Sequence, residues 1–90
     1  MYLAKVRGTV VSTSKDERLV GFKLLVIQRI DVDEKYVSTP QVAVDTVGAG
    51  VGATVIVTGG SSARFAASRS EAPIDCTIVG IVDTVEIGPA

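Results

Sequence analysis

Residues 2–11 place Ala4, Val6, Gly8 and Val10 at every second position, with Lys5, Arg7 and Thr9 between them. A period of two sends alternate side chains to opposite faces, so this segment reads as a strand with one buried face. The same signature returns in short pieces along the chain. Residues 23–31 contain Leu24-Leu25-Val26-Ile27, too short an apolar run for a helix and rich enough in branched side chains for a largely buried strand. Residues 41–47 alternate again through Val42 and Val44, Val55-Ile56-Val57 predicts a fourth strand, and residues 74–87 read as a long last strand bent near Gly80. Between them, residues 13–18 form a polar hairpin loop, residues 31–40 a charged connection, and residues 48–52 a glycine-rich bend. Only residues 59–67 predict a helix, a short one entered from the Gly59-Gly60 turn with a serine available to cap its first amides. Five strands joined by small loops must dispose of their edges, and closure does so. The expected fold is therefore all-β: a small five-stranded OB-like barrel with one short helix, with a two-sheet sandwich as the alternative.

At 90 residues the chain has room for one domain, expected to span residues 1–90. Its apolar share is 47% with only 4% aromatic, and the mean hydropathy is +0.42. That is more apolar surface than one small core needs, which predicts a buried interface between subunits. The longest apolar runs, Leu24-Leu25-Val26-Ile27 and Ile78-Val79-Gly80-Ile81-Val82, are far below the roughly 18 residues of a membrane helix, so no membrane role is expected. The first residues move directly into strand-like sequence without the pattern of a secretory signal, and the lone Cys76 lies in an apolar run where a buried thiol is usual. Both features predict a cytoplasmic protein. Nine basic and ten acidic residues are spread without blocks, which announces neither nucleic acid nor an anionic membrane as partner.

The catalytic inventory is thin. Histidine is absent, removing the commonest general base and metal ligand, and one cysteine with scattered carboxylates does not make a zinc set. No catalytic residue, metal or cofactor is predicted. Asp45, Asp75 and Asp83 lie in or beside apolar strands, where a carboxylate needs partners; an acid/base pair is one reading, but no nucleophile or oxyanion partner lies nearby in sequence, so bonds to loop amides or to arginines of a neighbouring subunit are the expected role. The Gly48-Ala49-Gly50-Val51-Gly52 run lacks dinucleotide-motif spacing and is followed by strand, so it reads as a tight turn. Gly60-Ser61-Ser62-Ala63-Arg64 could gather an anion, but an N-cap beside an interface arginine is the simpler reading. A nucleic-acid-binding barrel would need a basic groove with stacking aromatics, and none of Tyr2, Phe22, Tyr36 and Phe65 is interleaved with lysine or arginine in a strand.

Taken together, several segments resemble one family in its order: Ala4-Lys5-Val6-Arg7-Gly8-Thr9-Val10-Val11-Ser12-Thr13 with Lys15-Asp16, Lys23-Leu24-Leu25, Val44-Asp45, the Gly48–Gly52 turn, Gly60-Ser61-Ser62-Ala63-Arg64, Ile74-Asp75 and Val79-Gly80-Ile81-Val82-Asp83. The chain resembles the EutN/CcmL family, the pentameric vertex components of bacterial microcompartment shells. Ala53 departs from the acidic residue usual after the last loop glycine, and the few residues after the last strand look more like metabolosome members than longer-tailed carboxysome ones. The resemblance implies an OB-like barrel, a homo-pentamer, a place in a microcompartment shell beside hexagonal shell proteins, and no reaction. In such a ring Gly48, Ala49, Gly50, Gly52, Gly60, Ser61, Ser62 and Arg64 are expected at subunit contacts or near the five-fold axis, where small residues let five backbones approach, and Arg64 is expected to pair with a carboxylate such as Asp45 or Asp75 within or across subunits, because an arginine fork suits a carboxylate. A nucleic-acid-binding module is the rival reading.

Overall fold

Strand β1 (Tyr2–Val10) pairs with both β2 (Lys23–Ile30) and β4 (Thr54–Gly59) in a computed structural model that describes residues 1–69 and 71–89. β3 (Gln41–Asp45) follows β2, and β5 (Cys76–Val82) follows the single helix α1 (Gly60–Ala66). The strands close into a barrel in the order β1-β2-β3-β5-β4. Every neighbouring pair is antiparallel except β3–β5, whose short parallel ladder joins Val44 to Thr77 and Asp45 to Ile78. This is the closed, five-stranded OB-like barrel expected from the alternation. A two-sheet sandwich is not formed.

The alternation determines the interior. Ala4 and Val6 of β1, Leu25 and Ile27 of β2, Val55 and Val57 of β4, and Cys76 and Ile78 of β5 all point inward and are buried. Small and branched side chains dominate because a five-stranded barrel leaves little room at its axis. Two register shifts bend the wall. One lies between Val6 and Gly8, and the other lies opposite Ile56 and Val57, where Val79 is the extra residue beside Gly80. The bend expected near Gly80 is therefore present, and a side chain there would sit 3.2 Å from the Ile56 Cδ1.

A second, smaller cluster lies under α1. Ala63 and Ala67 pack with Val44, Ala72 and Ile74, edged by Leu19, Phe22 and Leu24. Buried Thr77 locks the helix to the barrel by donating from Oγ1 to the Ala63 carbonyl, 2.7 Å away. Two expectations change here. The last strand is Cys76–Val82 rather than residues 74–87, because Ile74 turns into the second cluster and the β4 ladder ends where Thr54 meets Val82. No serine caps α1: β4 runs straight into it, Gly59 is the cap in extended geometry without a side-chain bond, and Ser61 and Ser62 lie exposed in the first turn. Gly60 takes a φ of 62°, open to glycine at no steric cost, and its amide donates to the Asp75 carbonyl.

The loop between β1 and β2 carries a 3-10 turn, Glu17–Leu19. Asp16 caps it, accepting from the Arg18 amide and side chain, while Arg18 also reaches the Glu71 carbonyl at 2.7 Å and ties the loop to the far side of the small cluster. The Arg18 side-chain hydrogen bond and the Arg18 amide hold the Asp16 carboxyl at about 2, below its ordinary 3.8. Because the folded value is depressed, this clasp contributes fully above 3.8 and fades as pH falls through about 2. An NMR titration of the Asp16 carboxyl carbon should therefore show a midpoint near 2; a midpoint at 3.8 would mean that the clasp does not hold in solution.

Candidate subunit-contact site

The glycine-rich turn is held from below by charge. Asp45 ends β3 almost buried, and its two carboxylate oxygens accept from the amides of Val47 at 3.1 Å and Ala49 at 2.9 Å. Its cross-strand neighbour Lys23 donates from Nζ to the Ala49 carbonyl at 2.7 Å. Ala49 itself is fully buried in the barrel core. The turn then closes through the Ala53 amide on the Gly50 carbonyl, and returns along β1 through Gly52 to Val6 and Val6 to Ala53. Gly52 adopts a φ of 91°, a conformation that side chains rarely take. Within one chain, the partners of Asp45 are these loop amides.

With its floor fixed, the turn presents a small apolar tip. Val47 and Val51 are exposed, and a Cβ added at Gly50 would meet nothing within 4 Å. Such a surface is stiff, nearly free of side chains and able to admit another backbone closely. Replacing Asp45 by alanine leaves the buried Ala49 amide without a partner, so Asp45→Ala should cost about 2–4 kcal/mol. Thermal unfolding at fixed protein concentration checks this, and a loss under about 1 kcal/mol would mean that the loop is held by other contacts.

The second group occupies the other end of β4. Gly60, Ser61 and Ser62 are exposed at the start of α1, and Arg64 is half-buried on it. The two glycine-containing turns are separated by the six residues of β4, roughly 20 Å of strand, so one chain does not bring them together. Arg64 pairs with neither Asp45 nor Asp75 inside the chain. Among the described residues the ion pairs are Lys5–Glu34 at 3.3 Å and Asp16–Arg18 at 2.7 Å. Asp75 is exposed and contributes its backbone carbonyl to Gly60.

Several features were not legible in the sequence. Phe65, next to Arg64, is 74% exposed. Arg29 stacks over Tyr2 and Arg7 over Tyr36, each at 4.8 Å, and Arg69 lies 5.7 Å from the Phe22 ring. These partners come from different elements, so a search within single strands misses them. At the end of the barrel near Cys76, the Gln41 amide nitrogen donates to the Tyr2 hydroxyl and approaches the Cys76 sulfur at 3.3 Å, and Tyr2 lies 3.2 Å from that sulfur. Burial, and then the Cys76 hydrogen bond, push the Tyr2 hydroxyl well above its ordinary range. Two open hollows mark the surface. One of about 500 Å³ is lined by Glu17, Arg18, Ser68, Arg69, Glu71 and Ala72. The other, of about 350 Å³, lies between the 31–34 turn and the residues following β5.

Comparison with known proteins gives this surface its context. The family described as "Ethanolamine utilisation protein EutN/carboxysome" matches residues 1–83. The bacterial microcompartment shell vertex protein GrpN of Rhodospirillum rubrum is 58% identical over 88 residues, covering 96% of this chain and 97% of that protein. The shell vertex protein PduN of Salmonella typhimurium is 49% identical over 89 residues, covering 94% and 98%. Among solved structures, the GrpN pentameric microcompartment shell protein from Rhodospirillum rubrum superposes with a TM-score of 0.88 at 57% identity, over 98% of this chain and 100% of that one. An ethanolamine utilization protein EutN superposes with a TM-score of 0.92 at 39% identity, over 97% and 91%. Sequence, barrel topology and near-complete coverage agree, and the chain belongs to the EutN/CcmL family.

Proposed function

We propose that this chain is a shell vertex protein of a bacterial microcompartment, five copies of which close into a ring. The observation that carries this reading is its likeness to the pentameric GrpN shell protein along essentially the whole of both chains. The physics agrees with it. Val11, Val47, Val51, Phe65, Ile81 and Ile87 are all exposed in the single chain, an apolar surface that a heterologous contact would cover, and a closing rotation makes such contacts into a ring. Flat layers of hexagonal shell proteins cannot close without pentagons, so the pentamer's work is curvature and sealing. Its place is the shell of a compartment in the bacterial cytoplasm, of the metabolosome kind found among its relatives, and its partners are copies of itself and the hexagonal shell proteins. No reaction is assigned to it. The nucleic-acid reading finds no support among the relatives, and in this chain Tyr2 and Tyr36 already stack on internal arginines.

The test is native mass at several concentrations. Five copies of the 9.3 kDa chain give about 46 kDa, which native mass spectrometry separates from the hexamer as well as from the monomer. A pentamer that persists on dilution supports the reading. A monomer at every concentration would sink it.

A further inference from the structure

The 350 Å³ hollow and the Arg64–Phe65 surface in the last turn of α1 are complementary. Leu3, Ile30, Val32, Val82 and Val85 give the hollow apolar walls, and Asp31, Glu34 and Asp83 make its rim acidic. Two of these carboxylates have duties within the chain. Asp31 accepts the amides of Asp33 and Lys35, and Glu34 pairs with Lys5. Asp83, exposed just past the end of β5, has no cation within 4 Å among the described residues. On α1, Phe65 is the most exposed aromatic side chain at 74%, and the neighbouring Arg64 guanidinium likewise has no carboxylate within 4 Å among the described residues.

These two surfaces cannot meet in one copy. Helix α1 follows the end of β4 at Gly59, whereas the hollow is at its beginning, where Thr54 faces Val82. A contact between them joins the two ends of two different molecules, the head-to-tail geometry from which rings are built.

We propose that Phe65 of one subunit seats in the hollow of the next, with Arg64 pairing there with Asp83. The proposal rests on the pentamer reading and specifies its contact. An aromatic anchor in an apolar pocket with a desolvated arginine–carboxylate pair at its edge is the combination that concentrates binding energy at interfaces. Charge complementarity also fixes which face meets which, since a groove rimmed by carboxylates rejects the acidic segment around Glu86 and accepts the arginine-bearing helix.

Charge reversal tests this directly, because none of Arg64, Phe65 and Asp83 belongs to either buried cluster and their exchange leaves the barrel core intact. Arg64→Glu and Asp83→Arg, each alone, should raise the concentration at which the assembly dissociates by roughly 100-fold or more. The double variant should return it to within about tenfold of the unmodified protein. Phe65→Ser should weaken assembly with no charge change to rescue, and circular dichroism of each variant reports that the barrel is still folded. Single variants that assemble like the unmodified protein, or a double variant no better than either single one, would overturn the contact while leaving the pentamer standing. An unmodified protein that never assembles removes instead the reading on which the contact rests.

Discussion

Ile78→Ala should destabilise the barrel by about 3–4 kcal/mol, a large part of the roughly 5–13 kcal/mol available to a chain of this size. Ile78 is fully buried and stands where three strands meet, facing Asp45 across the parallel β3–β5 ladder and Val57 across β4. Its neighbours belong to a closed wall, so they cannot collapse into the space left by the missing carbons, and the cost sits toward the upper part of the usual range. The midpoint of thermal unfolding should fall by roughly 15–25 °C. The comparison needs equal protein concentrations, because subunit association adds its own stabilisation by mass action. A fall of only a few degrees would show that the interior is loosely packed and that the barrel draws its stability from elsewhere.

Gly50→Trp should leave the isolated barrel intact and abolish the proposed ring. The backbone at Gly50 is outside the left-handed region, and a Cβ there meets only open space, so neither strain nor collision penalises the folded subunit. The effect, if the turn abuts a neighbouring subunit, is confined to assembly: an indole in a contact shaped for a bare backbone separates the surfaces by several ångströms. Native mass should drop from the roughly 46 kDa of the proposed pentamer to the 9.3 kDa of one chain, with an unchanged circular dichroism spectrum. Gly52→Trp is a poor substitute, because the φ of 91° at that position adds strain within the subunit. A Gly50→Trp protein that still assembles as a pentamer would place the turn away from the contacts and leave the Arg64–Phe65 surface as the one to pursue.

How far the sequence reaches can be seen at particular residues. Ala4 and Val6 face inward because alternation fixes the face of every residue once one is known, and the core of β2 and β4 follows from the same rule. The end of β5 was not legible in that way. Residues 84–87 continue a strand-like pattern, yet the strand stops at Val82 because β4 has no residue left to pair with, and pairing length is a property of two segments. The serine cap fails for a similar reason, since Gly59 passes from the ladder directly into the helix. Asp45 shows the middle case: its place in an apolar strand pointed to a need for partners, and only the folded loop places the amides of Val47 and Ala49 in reach.

The sequence by itself determined that the chain forms short alternating strands, that the strands enclose small branched side chains, and that glycine turns separate them, because these depend on local sterics and periodicity. The motifs it carries were sufficient to point to its family. Only the tertiary structure decided the order β1-β2-β3-β5-β4 with its one parallel contact, the clasp of Asp16 and Arg18 on the Glu71 carbonyl, and the placing of Arg64 and Asp83 at opposite ends of the barrel. Each of these joins residues far apart in the chain, and no local propensity encodes which distant segment a strand edge or a charge will meet once the barrel has closed.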